Sequence, residues 1–251
     1  MTSSSLSGKV ALVTGSGRNI GRAVVRELAK QGATVVVNAR NNAQEAAATV
    51  SAVESAGGTA IAVLADVGEE QQVQRMMAEI SDRVGAVTIL VNNAGLRRSC
   101  ALTEMSTAEW RSILAANLDG PFFCCRAVVP GMIAAGGGTI INVSGLNAFI
   151  GRDQWSHVCA AKMGALGLTR SLAVELAPHG ITVNHIVPGA IDTTHGTSSD
   201  MLATTRRLAG IPLQRLGLPE EIAALCGFLS SESARFITGQ TLHVNGGALR
   251  C

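Results

Sequence analysis

The sequence predicts an α/β fold, in which one doubly wound domain over residues 1–251 carries a seven-stranded parallel sheet with helices on both faces. Short β-branched runs alternate with amphipathic segments of helical period, which is typical of βαβ units. Hydrophobic residues make up 47% of the chain and aromatic residues only 3%. Aliphatic side chains must therefore fill the core, as in sheets buried on both sides. No linker, repeat or low-complexity tract divides the chain.

Seven strands and six helices can be located in chain order. The β-branched runs predict strands over Val10–Thr14, Thr34–Asn38, Ala60–Leu64, Ile89–Asn92, Thr139–Val143, Thr182–Val187 and Thr241–Val244. The amphipathic segments predict helices over Gly21–Gln31, Ala43–Ala56, Gln71–Val84, Thr107–Val129, Ala160–Ala177 and Pro219–Leu229. One long interruption, Ala190–Ile211, follows the sixth strand. Because ligands of this architecture bind at the carboxyl ends of strands, we expect this loop to border the site.

A glycine-rich turn joins the first strand to the first helix and predicts a dinucleotide site. Glycines allow the backbone to turn tightly and to approach a pyrophosphate, and the positive end of the following helix attracts its charge. After the first strand of a βαβ array, this signal is strong. The predicted cofactor contacts here are Gly15, Ser16, Arg18, Asn19, Ile20 and Gly21.

The end of the second strand favours NADP(H) over NAD(H). An NAD site places an acid near this point for the ribose hydroxyls, but the first acid is Glu45. Arg40 and Arg18 are placed to meet a 2′-phosphate instead, although both could also be solvated surface arginines. Asp66, at the end of the third strand, either accepts from the adenine amino group or caps a helix.

Composition excludes several function classes. The net charge is +2 with no basic run, which argues against nucleic acid as a partner. The six cysteines show neither paired spacing nor a His/Cys metal pattern, so no metal site is predicted. The polar segment Met1–Gly8 lacks the apolar stretch of a signal peptide, and no uncharged apolar run is long enough for a membrane span. We expect a cytoplasmic protein without a membrane partner.

Further motifs stand in order along the chain. They are Asp66-Val67, Asn92-Asn93-Ala94-Gly95, Asn117, Lys162, Pro188-Gly189 with Thr193, Thr238-Gly239-Gln240 and Asn245-Gly246-Gly247. With the glycine-rich turn, they resemble the classical short-chain dehydrogenase/reductase family over nearly the whole chain, most of all its 3-oxoacyl-carrier-protein reductases and glucose dehydrogenases. The resemblance implies a seven-stranded Rossmann fold, an NAD or NADP cofactor, a small-molecule substrate and a homotetramer.

The resemblance also implies roles for single residues. Asn117 is expected to hold a water of a proton relay through a kink in its helix. Lys162 is expected to bind the nicotinamide ribose and to lower the pKa of a neighbouring acid. The other implied cofactor contacts are Asp66, Val67, Asn93, Ala94 and Gly95 towards the adenosine, and Pro188, Gly189 and Thr193 at the nicotinamide carboxamide.

Two positions depart from the family pattern. The family tyrosine lies four residues before the lysine, where this chain has Val158, and the chain contains no Tyr at all. The family serine falls on Gly145, and the adjacent Ser144 could replace it if the strand end shifts. Asn19 also stands where the family usually has its second glycine, a milder change because Asn tolerates positive φ.

The missing phenol leaves the proton donor open. A positioned acid typically contributes ~10²–10⁴-fold to the rate, which valine does not supply. His157 is adjacent to the gap, but on a continuous helix its side chain points about 100° away, so it could equally pack. Lys162 could donate directly or through water held by Asn117. Cys159 is expected to pack.

Three functions follow from these residues. The leading expectation is an NADP(H)-dependent oxidoreductase that transfers hydride to a small carbonyl or related C=X group, with a non-standard proton donor. The second is an enoyl- or dienoyl-thioester reductase, because dienoyl-CoA reductases resemble this fold and lack the tyrosine. The third is a non-catalytic NADP(H)-binding protein. Arg97 and Arg98, at the expected cleft edge, could meet an acidic substrate or stay solvated.

Overall fold

A computed structural model describes residues 6–193, 208 and 210–250 and contains a seven-stranded, fully parallel sheet. The strands are β1 Val10–Val13, β2 Thr34–Ala39, β3 Thr59–Leu64, β4 Ile89–Asn92, β5 Gly138–Val143, β6 Ile181–Pro188 and β7 Thr241–Val244. Their order in the sheet is β3-β2-β1-β4-β5-β6-β7. All seven predicted strands are confirmed, and the predicted fold class with them. The order reverses between β1 and β4, which is where such sheets open a crevice for ligands.

Helices flank both faces of the sheet. They are α1 Asn19–Lys30, α2 Ala43–Glu54, α3 Glu70–Val84, α4 Thr107–Leu114, α5 Gly120–Ala134, α6 Asn147–Ile150, α7 Ser156–Leu176 and α8 Pro219–Ser230. A π-helical turn, Ala115–Asp119, separates α4 from α5, so the predicted helix Thr107–Val129 contains a kink. The prediction also placed the start of α7 at residue 160, which was wrong because the helix begins four residues earlier.

The central strands bury side chains on both faces, which explains their apolar runs. In β1, Ala11 and Val13 join the core under α1 and α8, whereas Val10 and Leu12 join the core under α3 and α5. Side chains of a strand alternate between faces, so both faces must be apolar. The two cores fix the sheet as a rigid platform whose carboxyl edge carries the site.

The helical stretch Thr107–Ala134 is apolar and long enough, by composition, to cross a membrane. In the structure it lies along the sheet, where α5 packs against α3, β4 and β5. Glu109, Arg111, Asp119 and Arg126 also lie within it. This stretch is therefore a flanking helix of the Rossmann fold. The predicted loop Ala190–Ile211 falls largely on residues 194–207 and 209, which lie outside the described residues.

Candidate active site

A cavity of about 410 Å³ lies at the carboxyl ends of β1, β2 and β4. It is lined by most of the predicted adenosine-side residues: Gly15, Arg18, Asn19, Ile20, Gly21, Arg40, Asp66, Val67, Asn93, Ala94 and Gly95. Ser16 does not line it. The Ser16 hydroxyl is buried and donates to the carbonyl oxygen of Val13 at 2.7 Å, so this side chain braces the turn.

The glycine-rich turn fits a phosphate group because larger residues would close it. Gly15 has a φ of 60°, and a Cβ there would lie 2.8 Å from the Cα of Ala94. Asn19 also adopts a left-handed φ of 50°, which asparagine tolerates. The first turn of α1 carries no acidic residue. The helix itself therefore places no negative charge beside the backbone N–H groups at its start.

Asn93 and Asn38 hold the glycine turn in place. The Asn93 amide donates to the carbonyl oxygens of Thr14 and Gly15, both at 3.0 Å. The backbone N–H of Gly15 donates to the Asn38 side-chain oxygen at 3.2 Å. Asn38 was not among the predicted site residues; its one signal was a polar residue inside the otherwise apolar end of strand β2. A pre-formed turn reduces the entropy that ligand binding must offset.

Two exposed arginines lie at the far end of this cavity. Arg40 approaches Asp66 at 3.9 Å, and Arg18 approaches Glu45 at 3.8 Å. Such long, exposed ion pairs contribute little free energy, so either guanidinium can turn towards a phosphate. Asp66 accepts from the backbone N–H of Gly68 at 2.9 Å, whereas the residue that caps α3 is Glu69. The predicted role of Asp66 as a helix cap is therefore wrong, because Glu69 occupies the N-cap position of α3.

A second cavity, of about 540 Å³, continues from the first. Both share Ile20, Asn93, Gly95, Arg97 and Thr193 as lining residues. The second cavity is bordered by the ends of β5 and β6 and by the start of α7. Of the predicted residues, Pro188, Gly189, Asn117, Ser144 and Lys162 line it. The structure thus joins a dinucleotide-sized groove to a pocket for a small molecule.

Lys162 lies inside the second cavity on α7. Its ammonium donates to the carbonyl oxygen of Val143, at the end of β5, at 2.9 Å. Burial, and next the positive charge of Arg97, lower the Lys162 pKa to about 8. A proton on this nitrogen is therefore more easily lost near neutral pH than on an exposed lysine.

Asn117 lies in the π-helical turn and points its amide into the same region. Its Nδ2 donates to the carbonyl oxygens of Leu96 at 2.8 Å and Ile113 at 2.9 Å. Its buried Oδ1 has no hydrogen-bond partner among the described residues. A Cβ on Gly95 would lie 2.9 Å from this Oδ1 and 3.5 Å from the Lys162 Nζ. Glycine at position 95 thus leaves room for both polar groups.

Val158 and Gly145, the positions where the sequence analysis expected the family tyrosine and serine, both border this cavity. Val158 lies one helical turn before Lys162, with 4% of its surface exposed. A Cβ added to Gly145 would meet no atom within 4 Å. Ser144 lines the cavity directly after β5, and its buried hydroxyl has no partner among the described residues. Ser144 therefore borders the site, but its hydroxyl is buried beside the cavity.

The structure separates His157 from the cavity. Its side chain is fully buried and lines neither cavity, and its nearest carboxylate oxygen belongs to Glu109 at 3.9 Å. Because α7 is already regular at Ser156, the helical rotation turns His157 away from the face of Val158 and Lys162. Cys159 does line the cavity, where its thiol donates to the Asn147 carbonyl oxygen at 3.2 Å.

Among the described residues, no group of three His, Cys, Asp or Glu side chains could hold a metal ion. From the sequence, Arg97 could meet an acidic substrate, and Arg152 and Trp155 could shape the pocket although their spacing did not prove it. In the structure all three line the second cavity.

Comparisons with known proteins agree with this geometry. A family model described as enoyl-(acyl carrier protein) reductase matches residues 15–248. The 3-oxoacyl-(acyl-carrier-protein) reductase FabG of Staphylococcus epidermidis is 39% identical over 241 residues, which cover 95% of this chain and 98% of that protein. FabG of Vibrio harveyi is 41% identical over 244 residues, which cover 96% and 98%.

Solved structures match over nearly the whole chain. A gluconate 5-dehydrogenase from Burkholderia cenocepacia J2315, in complex with NADP and tartrate, has a TM-score of 0.90 and 35% identity and covers 98% of this chain and 97% of its own. A variant of a Serratia marcescens short-chain dehydrogenase/reductase has a TM-score of 0.91 and 33% identity, covering 97% and 99%. The chain therefore belongs to the short-chain dehydrogenase/reductase family of oxidoreductases.

Proposed function

We propose that the protein is an NADP(H)-dependent oxidoreductase that reduces a small carbonyl or related C=X group and uses Lys162 as its proton donor. The observation that carries this proposal is the continuity of the two cavities. Asn93, Gly95 and Arg97 border both of them, and Lys162 lies in the second one. The arrangement supports a cofactor whose adenosine and pyrophosphate lie in the first cavity and whose nicotinamide enters the second, beside the substrate.

The residues of the first cavity fit NADP(H). The turn at Gly15 and the start of α1 would hold the pyrophosphate, and Arg18 and Arg40 would hold the 2′-phosphate. The relative that was solved with NADP supports the same cofactor. When bound, NADPH supplies the hydride that reduces the substrate carbon. Pro188, Gly189 and Thr193 line the second cavity, where the nicotinamide would lie.

Lys162 is the group that can complete the reduction. Hydride addition to a carbonyl carbon leaves negative charge on the oxygen, and the Lys162 ammonium can give that oxygen one proton and become a neutral amine. A pKa of about 8 is close to neutral pH, which is the condition for efficient general acid catalysis. Water at the unpartnered Oδ1 of Asn117 can then return the proton, because that atom and the Lys162 Nζ lie beside Gly95.

A second function, NADP(H) binding without turnover, is favoured by one observation. Val158 and Gly145 together remove both hydroxyl groups of the family's usual proton-transfer site. On this hypothesis the unmodified protein binds NADPH but consumes none.

The two functions are separated by NADPH consumption with a panel of ketones, imines and enoyl thioesters. We expect turnover with at least one ketone, and a loss of at least about 10²-fold in the Lys162→Met variant. NADPH binding measured by fluorescence shows whether that variant still holds the cofactor. Saturable NADPH binding without turnover of any compound would overturn the enzymatic proposal, and turnover of enoyl thioesters alone would redirect it to C=C reduction.

We also propose that the chain folds as a single domain and that the protein is a cytoplasmic homotetramer. Exposed apolar side chains on α5 and α7, among them Phe122, Met163 and Val174, support an assembly through these helices. Light scattering of the purified protein measures its mass directly, and a monomer at micromolar concentration would contradict the proposal.

A further inference from the structure

The mouth of the second cavity carries positive charge on two separate segments. Arg97 follows β4, and Arg152 lies between α6 and α7. With Lys162, they are the charged residues that line this cavity, and no described lining residue is acidic. No carboxylate of the described residues forms an ion pair with Arg97 or Arg152. Both guanidinium groups are therefore available to a ligand.

The two segments are fastened to each other at the cavity edge. The indole N–H of Trp155 donates to the Ser99 hydroxyl at 2.9 Å. The backbone N–H of Cys100 donates to the carbonyl oxygen of Gln154, also at 2.9 Å. Gln154 adopts a φ of 60°, a costly conformation for a residue with a side chain. These contacts hold the segments that carry Arg97 and Arg152 beside one another.

Trp155 also orients Arg152. The guanidinium carbon of Arg152 lies 4.0 Å from the centre of the Trp155 ring, which is a close cation–π contact. Stacking leaves the edge of the guanidinium, with its N–H groups, free to bind a carboxylate in a bidentate manner. An arginine fixed in this way loses less conformational freedom when a ligand binds.

Arg98 shows by contrast that this arrangement is specific. It is the next residue after Arg97, yet it lines neither cavity and forms an ion pair with Glu109 at 2.9 Å. Arg97 and Arg152 thus differ from a neighbouring surface arginine in both place and pairing.

We infer that the substrate of this protein is a small carboxylate, an oxo acid whose carboxyl group binds between Arg97 and Arg152 while its carbonyl group faces Lys162. This inference deepens the proposed function and rests on it for the identity of the second cavity. A volume of about 540 Å³ suits a small molecule. The three positive charges would repel a cation and leave a neutral substrate without its strongest contact.

The test compares an acid with its uncharged ester. Turnover is measured for acetoacetate and methyl acetoacetate, and binding to the NADPH-loaded protein is measured by calorimetry for succinate and dimethyl succinate. We expect the acids to be favoured by about 10-fold or more in kcat/KM and in affinity. Arg97→Met and Arg152→Met should each remove most of this preference, Arg152→Lys should keep part of it, and Arg98→Met should leave it unchanged.

The calorimetric binding measurements decide the inference even if no compound is turned over. Equal affinity for succinate and its dimethyl ester would overturn it, whereas failure of turnover alone would count only against the proposed function. If inorganic phosphate binds more tightly than succinate, and this binding needs both arginines, the ligand group of the site would be a phosphate and not a carboxylate. An Arg97→Met variant with weakened NADPH binding and unchanged succinate binding would assign Arg97 to the cofactor and overturn the two-arginine site.

Discussion

The Val158→Tyr substitution asks whether this site lacks only a stronger proton donor. Val158 lies one helical turn before Lys162 and borders the second cavity, so a phenol there would share the helix face of the ammonium. The positive charge of Lys162 would lower the pKa of that phenol. A positioned acid contributes ~10²–10⁴-fold, or about 3–5 kcal/mol of the barrier.

If Lys162 is the donor, as proposed, it already supplies part of this effect, and Gly145 has no hydroxyl to orient the phenol. We therefore expect the low end of the range. We expect kcat/KM for ketone reduction to rise by about 10²-fold, and further when Gly145→Ser is added. Val158 is buried but borders the cavity, so the ring can extend into it, and the free energy of unfolding should fall by no more than the ~1–3 kcal/mol that overpacking of a closed core costs.

The assay is NADPH oxidation with one ketone at fixed ionic strength. Val158→Phe is the matched control, because it adds the same ring without the hydroxyl. In the unmodified protein, the rate should be fully present below a pH of about 8 and should fall above it, since the Lys162 ammonium is the acid. If the Tyr and Phe variants have the same kcat/KM, or if the unmodified rate does not fall in this window, the reasoning about the proton donor is refuted.

Three further predictions concern the cofactor and stability. Arg40→Gln should raise the NADPH Kd by about 10-fold and leave the NADH Kd unchanged in fluorescence titrations; equal effects would remove the 2′-phosphate role. Gly15→Ala should destabilise the fold by about 1–3 kcal/mol in urea, whereas Gly167→Ala, in the open middle of α7, should stabilise it by up to about 1 kcal/mol. Burial, followed by the charges of Lys162 and His243, lowers the His185 pKa to about 4. Stability should therefore be complete above pH ~6.5 and fall by up to about 3 kcal/mol as the pH drops towards 4, because only the unfolded chain binds the proton; His185→Leu should flatten that slope.

The fold could be predicted because its signals are local and repeated. The apolar runs of the central strands β1, β4, β5 and β6 are buried on both faces, so their composition separates them from helices. The turn at Gly15 could be located for the same reason, since the backbone there excludes a side chain. Both signals depend on a few consecutive residues and need no knowledge of distant contacts.

The catalytic region was harder to predict because it depends on where α7 begins. A start at Ser156 instead of residue 160 fixes the rotation of the first turn, which buries His157 and turns Val158 into the cavity. The position of Arg152 beside Arg97 could not be predicted for a different reason. Arg152 joins Arg97 through contacts between segments more than fifty residues apart, as in the bond from Trp155 to Ser99.

Because Val158, and not a tyrosine, stands one turn before Lys162, we propose a different task for the lysine. In a site with a tyrosine, the phenol gives the proton and the lysine ammonium only stabilises the phenolate. The lysine can then keep its own proton. Here the ammonium is buried, its one hydrogen bond within the described structure is to the Val143 carbonyl, and no described acid lines the cavity to hold its charge. Burial and the nearby charge of Arg97 make the proton easier to release, whereas the hydrogen bond to Val143 favours the ammonium. The same positive charge lies where a carbonyl oxygen would become negative, so one side chain can both stabilise the developing charge and neutralise it. A carboxylate substrate held by Arg97 and Arg152 would fix the carbonyl group at that nitrogen, which links the proposed substrate class to the proposed donor.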